Sequence, residues 1–281
     1  ESKTYIEKFR LVANDLTLVE GQGVVTISIN VEGIPQLIDE INKFSKEACI
    51  FDPNNLISDS DFTNYNSMTV EEIQSFLEQN KSYLANYIIP TEEDVPFCFK
   101  GGKDSLKISQ KNIGKKVSEL IYLEAQEHQI NPQVLLVTLQ KESSVITLEN
   151  MPNKWRHTWL LGYGYNESMA ACTYSLNKAK SQAELGGVGN QITYAFWQFQ
   201  QNFIKGIGPQ INGITSKVGD KIILSNTNKE PLEVFLSNKA TACLYRYTPH
   251  VYNGNYNFWK FYQNWFVKNS KIETISVDKI N

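Results

Sequence analysis

The chain has 281 residues, 41% apolar and 12% aromatic, enough to build a buried core in one large domain or two smaller ones. A formal net charge of −3 and a pI near 5.8, with no run of Lys or Arg, speak against a nucleic-acid partner. Mean hydropathy is −0.35, and no stretch approaches the roughly 20 consecutive apolar residues that span a bilayer as a helix.

In chain order, the first element is GVVTISINVEG, where Val25, Ile27, Ile29 and Val31 alternate with small or polar residues at the period of a half-buried strand. GIPQLIDEINKFSKEA follows as an amphipathic helix with Pro35 near its first turn, so residues 1–50 read as a small strand-plus-helix module. The Asp-, Asn- and Ser-rich DPNNLISDSDFTNYNSM is expected to be a linker or irregular lead-in to a second domain over 55–270. Thr69, with Glu72 three positions on, forms a capping box that opens a helix over 69–87. Helical patterns continue over about 109–128, 131–147 and 190–203. DKIILSN and PLEVFLSN, on either side of the turn-prone TNKE, predict a two-strand insertion over 220–238. A helix over NKATACLYRYT and the aromatic segment YNFWKFYQNWF close a mainly helical α+β fold.

The helix INPQVLLVTLQKESSVITLEN raises a chemical question, because it carries an acid inside an apolar pattern. Asn131 can act as N-cap and Pro132 fits the first helical position. Leu135, Leu136, Leu139, Glu142, Ser143 and Ile146 then recur at spacings of three and four, which puts Glu142 on the buried stripe. Desolvation there would disfavour the carboxylate and make Glu142 a general acid at neutral pH. The other reading is an internal ion pair with Arg156 or a lysine.

The Glu142-Ser143 pair at the end of an apolar helix resembles the catalytic helix of the soluble lytic transglycosylases and goose-type lysozymes. Three further segments follow in that family's order. GGVGNQI resembles its glycine-rich turn, which implies Gly189, Asn190 and Gln191 as substrate contacts. NKATACLYRY is similar to its third motif, with Asn238, Ala240, Ala242 and Tyr245 in matching order, and VYNGN resembles its fourth, giving Tyr252 and Asn253. The resemblance spans about residues 115–266, reaches a secreted bacterial lysozyme-like group, and implies a lysozyme-like fold. It also implies cleavage of peptidoglycan glycan strands, with Glu142 as catalytic acid and Ser143, Tyr245, Tyr252 and Asn253 among the groups that meet the sugar. The matching second class of function is a lysozyme-like domain without activity that binds cell-wall glycan or serves a surface assembly.

Glycoside cleavage needs a proton at the leaving oxygen and then a second carboxylate or an internal nucleophile. Glu149, Glu167 and Glu184 lie downstream of Glu142 without a recognisable second-acid motif, so a single acid favours the transglycosylase route, in which the muramoyl 6-hydroxyl attacks. Trp159, Tyr163, Tyr165, Trp197, Tyr245, Tyr247 and Tyr252 fall near the motifs and suit sugar rings, whereas Phe196, Phe258 and Trp259 read as core. His128, His157 and His250 are scattered, and no metal or other cofactor is expected. A peptidoglycan substrate places the protein outside the cytoplasm, secreted or associated with the cell envelope, and residues 1–50 could engage an envelope protein partner. A start at Glu1 rather than Met is expected of a processed product. None of Cys49, Cys98, Cys172 and Cys243 falls in C-x-x-C spacing, which leaves disulfides or free buried thiols. Export favours a Cys172–Cys243 bridge within the region of resemblance.

Overall fold

In its computed structural model the chain divides into two compact units, Glu1–Ile50 and Phe51–Asn281. The described residues are 3–10, 24–31, 51–94, 105–107, 110–165, 185–226 and 229–267.

In the first unit, β1 (Lys3–Arg10) pairs antiparallel with β2 (Val24–Val31), with Tyr5 in register with Ile29 and Phe9 with Val25 along the ladder. The strand read from the alternation is present and has a partner that the alternation did not reveal. The helix expected over 34–49 lies outside the described residues.

The second unit is α+β, as expected. Its lead-in is irregular but is no linker, because Leu56, Ile57 and Phe62 are buried in the core. The polar residues around them do structural work. Asn54 accepts the Phe235 N–H at 2.7 Å, and Ser58 caps the short helix α1 (Asp59–Phe62). Thr69 and Glu72 form the predicted capping box of α2 (Val70–Gln79). That helix stops earlier than predicted because Lys81 adopts a left-handed φ of 54° and Ser82 starts a separate 3₁₀ turn, Tyr83–Asn86. After the short pair β3 (Glu92–Asp94) and β4 (Ser105–Lys107), α3 (Val117–His128) begins later than expected, beyond the positive φ of Gly114.

Helix α4 (Pro132–Ser143) is capped as predicted, with Asn131 accepting the Gln133 N–H at 2.8 Å. Every residue from Val134 to Gln140 is buried, so α4 runs through the core with no solvent face along that length. After the short α5 (Lys154–Thr158) comes α6 (Val188–Lys205), which packs beside α3. Two hairpins follow: β5 (Ile207–Ile211) with β6 (Ile214–Lys217), and β7 (Lys221–Asn226) with β8 (Lys229–Phe235). The second hairpin was predicted. The first, absent from the predicted elements, turns on Asn212-Gly213, both at positive φ, a dipeptide that favours tight hairpins. Helices α7 (Lys239–Tyr247) and α8 (Tyr256–Tyr262) complete the unit. Among the described residues no helix is long and apolar enough to cross a membrane.

Cys243, in α7, is a free buried thiol set 3.5 Å from the Phe199 carbonyl, and burial pushes its pKa up. The expected Cys172–Cys243 bridge is therefore not formed, while Cys49, Cys98 and Cys172 lie outside the described residues.

Charge is buried where α3 meets α6. Glu124 pairs with His128 at 3.3 Å and Lys111 at 3.1 Å, and it accepts the Thr193 hydroxyl at 2.9 Å. Both His128 ring nitrogens face acceptors, Glu124 and the Gln200 side-chain oxygen, an arrangement suited to the imidazolium. Burial alone would lower the His128 pKa, but the hydrogen bonds to Glu124 and Gln200 and the charges of Glu124 and Glu127 outweigh it and raise the value. For Glu124, burial works upward, yet the bonds from His128, Thr193 and Lys111 hold the carboxyl below its usual range. A raised base stabilises fully below its unfolded value of 6.5 and loses that contribution as pH climbs through the folded value; a depressed acid stabilises fully above 4.5 and loses it as pH falls. The pair is thus at full strength between those two values. Removing the imidazole as His128→Gln should flatten the decline in stability as pH rises above 6.5, read as the urea midpoints of wild type and variant across that range.

Candidate active site

The site begins where α4 leaves the core. Ser144 takes a left-handed φ of 53°, its N–H bonds the Gln140 carbonyl at 2.8 Å, and the helix ends at Ser143, four residues before the predicted stop at 147. Glu142 consequently stands at the exposed end of the helix, with its side chain 30% accessible. The expectation that it lies on a buried stripe is corrected: a helix buried on all sides has no apolar face for periodicity to mark, and position along the axis decides exposure instead. The desolvation argument for a neutral acid does not apply.

Lys141 turns inward. Its side chain is 4% accessible, its ammonium pairs with Glu142 Oε1 at 2.6 Å, and it lies 5.3 Å from the centre of the Tyr247 ring. The Thr248 hydroxyl accepts from Lys141 Nζ at 2.5 Å and donates to Glu142 Oε1 at 3.0 Å, closing a triangle of three side chains. Burial lowers the Lys141 pKa, and the Glu142 charge opposes that shift. Of the two alternatives read from sequence, the ion pair is present, made by the adjacent lysine. Arg156 goes to the Ser143 carbonyl, to which its Nε donates at 2.5 Å. Both contacts to Glu142 fall on Oε1, and Oε2 accepts no hydrogen bond from the described residues.

The other predicted site residues mostly build the walls. Ser143 is buried and its hydroxyl returns to the Leu139 carbonyl at 3.0 Å, so it does not reach outward. Gly189, Asn190 and Gln191 occupy the first turn of α6, all buried. Asn190 donates to the Gly186 carbonyl at 3.0 Å. Gln191 accepts from the Leu161 and Tyr163 N–H groups at 3.2 and 3.1 Å and donates to the Tyr163 and Leu185 carbonyls at 2.8 Å each. Tyr247 donates its hydroxyl to the Leu161 carbonyl, so Leu161 is gripped from both sides and the glycine-rich turn is tied to the floor under Lys141. Burial and the Glu142 charge raise the Tyr247 pKa well above its ordinary value.

Asn238 caps α7, while Tyr245 is fully buried and bonds the Pro53 carbonyl at 3.0 Å. Tyr245 is therefore a strut rather than a sugar contact, and burial is the main reason its pKa is raised. Tyr252 is half-buried beside Phe51 and Tyr256, and Asn253 is exposed in the π-turn Val251–Asn255. Inside that turn, Asn255 donates to the Thr248 and His250 carbonyls. A Cβ on Gly254 would meet Thr248 Cγ2 at 2.6 Å, so the turn closes directly onto Thr248. Sequence reasoning missed Lys141 and Thr248; a Lys-Glu step at a helix end carried no signal that the lysine was buried.

An aromatic surface continues from the Gln191 clamp. Tyr163 stacks on Tyr194 with centroids 5.0 Å apart, Trp197 meets Tyr163 edge-on, and Tyr165 contacts Trp155 and Trp159. Tyr165 and Trp197 are exposed, whereas Trp159, expected with them near the sugar, is buried; Phe196 and Phe258 are buried as expected of core, and Trp259, expected there too, is half-buried. A separate groove of about 720 Å³ opens between the two hairpins, lined by Ile211, Ile214, Ile222, Ile223 and Pro231 among others, and holds none of the predicted site residues. Among the described residues no group of three or more His, Cys, Asp or Glu is placed to hold a metal ion.

His157, on α5, sits between the hydroxyls of Tyr83 and Tyr87, with Nδ1 and Nε2 at 3.1 and 3.2 Å. Burial pushes its pKa down to about 4. The unfolded chain therefore takes up the proton first, and stability is fully kept above pH 6.5 and lost as pH falls toward about 4. The loss is of order 3 kcal/mol. His157→Gln should flatten the acid side of the melting-temperature profile over that interval.

Residues 55–278 match the family model described as LasA, N-terminal domain. No curated protein matches the chain, and no solved structure does.

Proposed function

Because the chain belongs to the LasA N-terminal domain family, which links it to secreted bacterial proteins that act on the cell wall, we propose that its second unit cleaves peptidoglycan glycan strands. The bond is the one between N-acetylmuramic acid and N-acetylglucosamine, and Glu142 is the acid and later the base. One observation carries this reading: the Glu142 carboxyl is fastened by Oε1 at the open end of a buried helix, with Oε2 left to meet a ligand. The protonated carboxyl gives its proton to the glycosidic oxygen as the bond from the muramoyl C1 breaks. The muramoyl 6-hydroxyl then attacks C1 and returns its proton to the Glu142 carboxylate, which leaves a 1,6-anhydro end and consumes no water. Tyr165 and Trp197 supply exposed ring faces against which sugars can stack.

A second reading, a glycan-binding unit without cleavage, draws on the ion pair that engages Glu142 and on the same exposed rings. Glu142→Gln is nearly isosteric, and its amide oxygen can still accept from Lys141 Nζ and the Thr248 hydroxyl, so the fold should persist at some cost in stability. On the cleavage reading, turbidity loss of purified peptidoglycan should drop by about 100-fold or more. The products of the unaltered protein should carry 1,6-anhydromuramic ends, lighter by one water than hydrolytic products. Equal lysis by the variant would remove Glu142 from the chemistry, and glycan binding without lysis by the unaltered protein would establish the second reading.

A further inference from the structure

Arg156 stands against the same helix end as Glu142. Its Nε donates to the carbonyl of Ser143, the residue next to the acid, and its backbone N–H is held at 3.0 Å by the Asn153 side chain that caps α5. The base of the guanidinium is thereby fixed, while its two terminal Nη amines make no hydrogen bond and no ion pair with the described residues. Nor are they enclosed, since Arg156 is half-buried and the buried polar atoms without a partner lie on other residues. With 30 Asp and Glu against 27 Lys and Arg the chain has acids to spare, yet none of those described pairs with this guanidinium. The end of α4 accounts for the Nε bond, because the last carbonyls of a helix lack partners within it. It leaves the rest of a planar fork unused, and that fork matches a carboxylate through two parallel hydrogen bonds. Trp155, the preceding residue on α5, meets the exposed Tyr165 edge-on, so a cation and an aromatic surface adjoin on one short helix.

We propose that Arg156 determines specificity: its Nη amines take a carboxylate carried by the muramoyl residue. The proposal rests on the reading that a glycan lies at this helix end, and it adds the group by which muramoyl is told from other sugars. The two N-acetyl sugars of the strand differ at C3 of N-acetylmuramic acid, where a lactyl group carries the peptide stem. Without its stem that group ends in a carboxylate; with its stem, the carboxylates belong to the peptide. Either is an anion attached to the ring whose C1 is cleaved, so an acid and a guanidinium at one helix end can engage one sugar residue. A two-pronged, charge-assisted hydrogen bond is stronger and more directional than a contact to a hydroxyl. Held at its base by the Ser143 carbonyl, the guanidinium has less side-chain freedom to lose on binding. A polymer of N-acetylglucosamine alone offers it no charge.

The test measures binding, with the full chain carrying Glu142→Gln so that no strand is cut during the titration. Three soluble glycans are titrated calorimetrically: strands with peptide stems, strands freed of their stems by an amidase and so bearing lactyl carboxylates, and chitin oligosaccharides, which carry neither. At least one of the first two should bind about 10-fold or more tighter than chitin. Adding Arg156→Met should remove that margin and leave the chitin affinity in place. A margin for stem-bearing strands assigns the peptide carboxylates, and one for stripped strands assigns the lactyl carboxylate. Equal affinity for all three with Arg156 present, or a margin that survives in folded Arg156→Met, overturns the role of Arg156 alone. Binding to none of the three overturns that role together with the glycan reading, which keeps the two failures apart. Should Arg156→Met fail to fold by circular dichroism, Arg156→Gln, whose amide can still donate to the Ser143 carbonyl, takes its place with the same outcomes.

Discussion

The geometry around Glu142 depends on where one buried helix stops. From Val134 to Gln140, α4 is enclosed on every side, so its direction is set by the core and cannot drift. Ser144, in the left-handed conformation, then ends the helix within one residue of Ser143. The stop leaves Glu142 in the last turn, where its carboxylate meets the Thr248 hydroxyl and the buried Lys141 ammonium. The apolar interior and a single backbone torsion together fix where a charged pair meets water.

The polar groups inside the unit act as brackets between elements distant in sequence. Gln191 on α6 spends its whole amide on the backbone of residues 161, 163 and 185, and Tyr247 on α7 reaches the same Leu161. Tyr245 ties α7 to Pro53, while Asn54 ties the entering chain to β8. Each such bond gains little net energy, since water is given up to form it, but each would be costly to leave half-made in the interior. These brackets specify one arrangement among several that hydrophobic packing alone would tolerate.

Local signals in the sequence located the caps well. Thr69 with Glu72, and Asn131 with Pro132, start helices where short-range chemistry requires it. The ends of those helices were less legible, because Lys81 and Ser144 are non-glycine residues in left-handed conformations, which residue type does not announce. The depth of Glu142 was misread for a related reason: in a helix that is apolar all round, spacing of three and four carries no direction. Its partner Thr248 lies 106 residues away, beyond any local pattern. Motif order led to Tyr245 and Ser143, both of which the fold uses internally, whereas the buried state of Lys141 had no counterpart in composition.

Gly254 shows what that arrangement demands of a residue that bears no functional group. With Thr248 Cγ2 only 2.6 Å from where a Cβ would stand, and His250 Cβ at 3.3 Å, the π-turn can close only over a bare Cα. Thr248 in turn meets the carboxyl of Glu142, so any side chain gained at 254 would be felt two contacts away, at the rim. In sequence drift or in engineering, the freedom to vary at this position is governed by volume rather than chemistry. The space that must stay empty is inherited together with the acid.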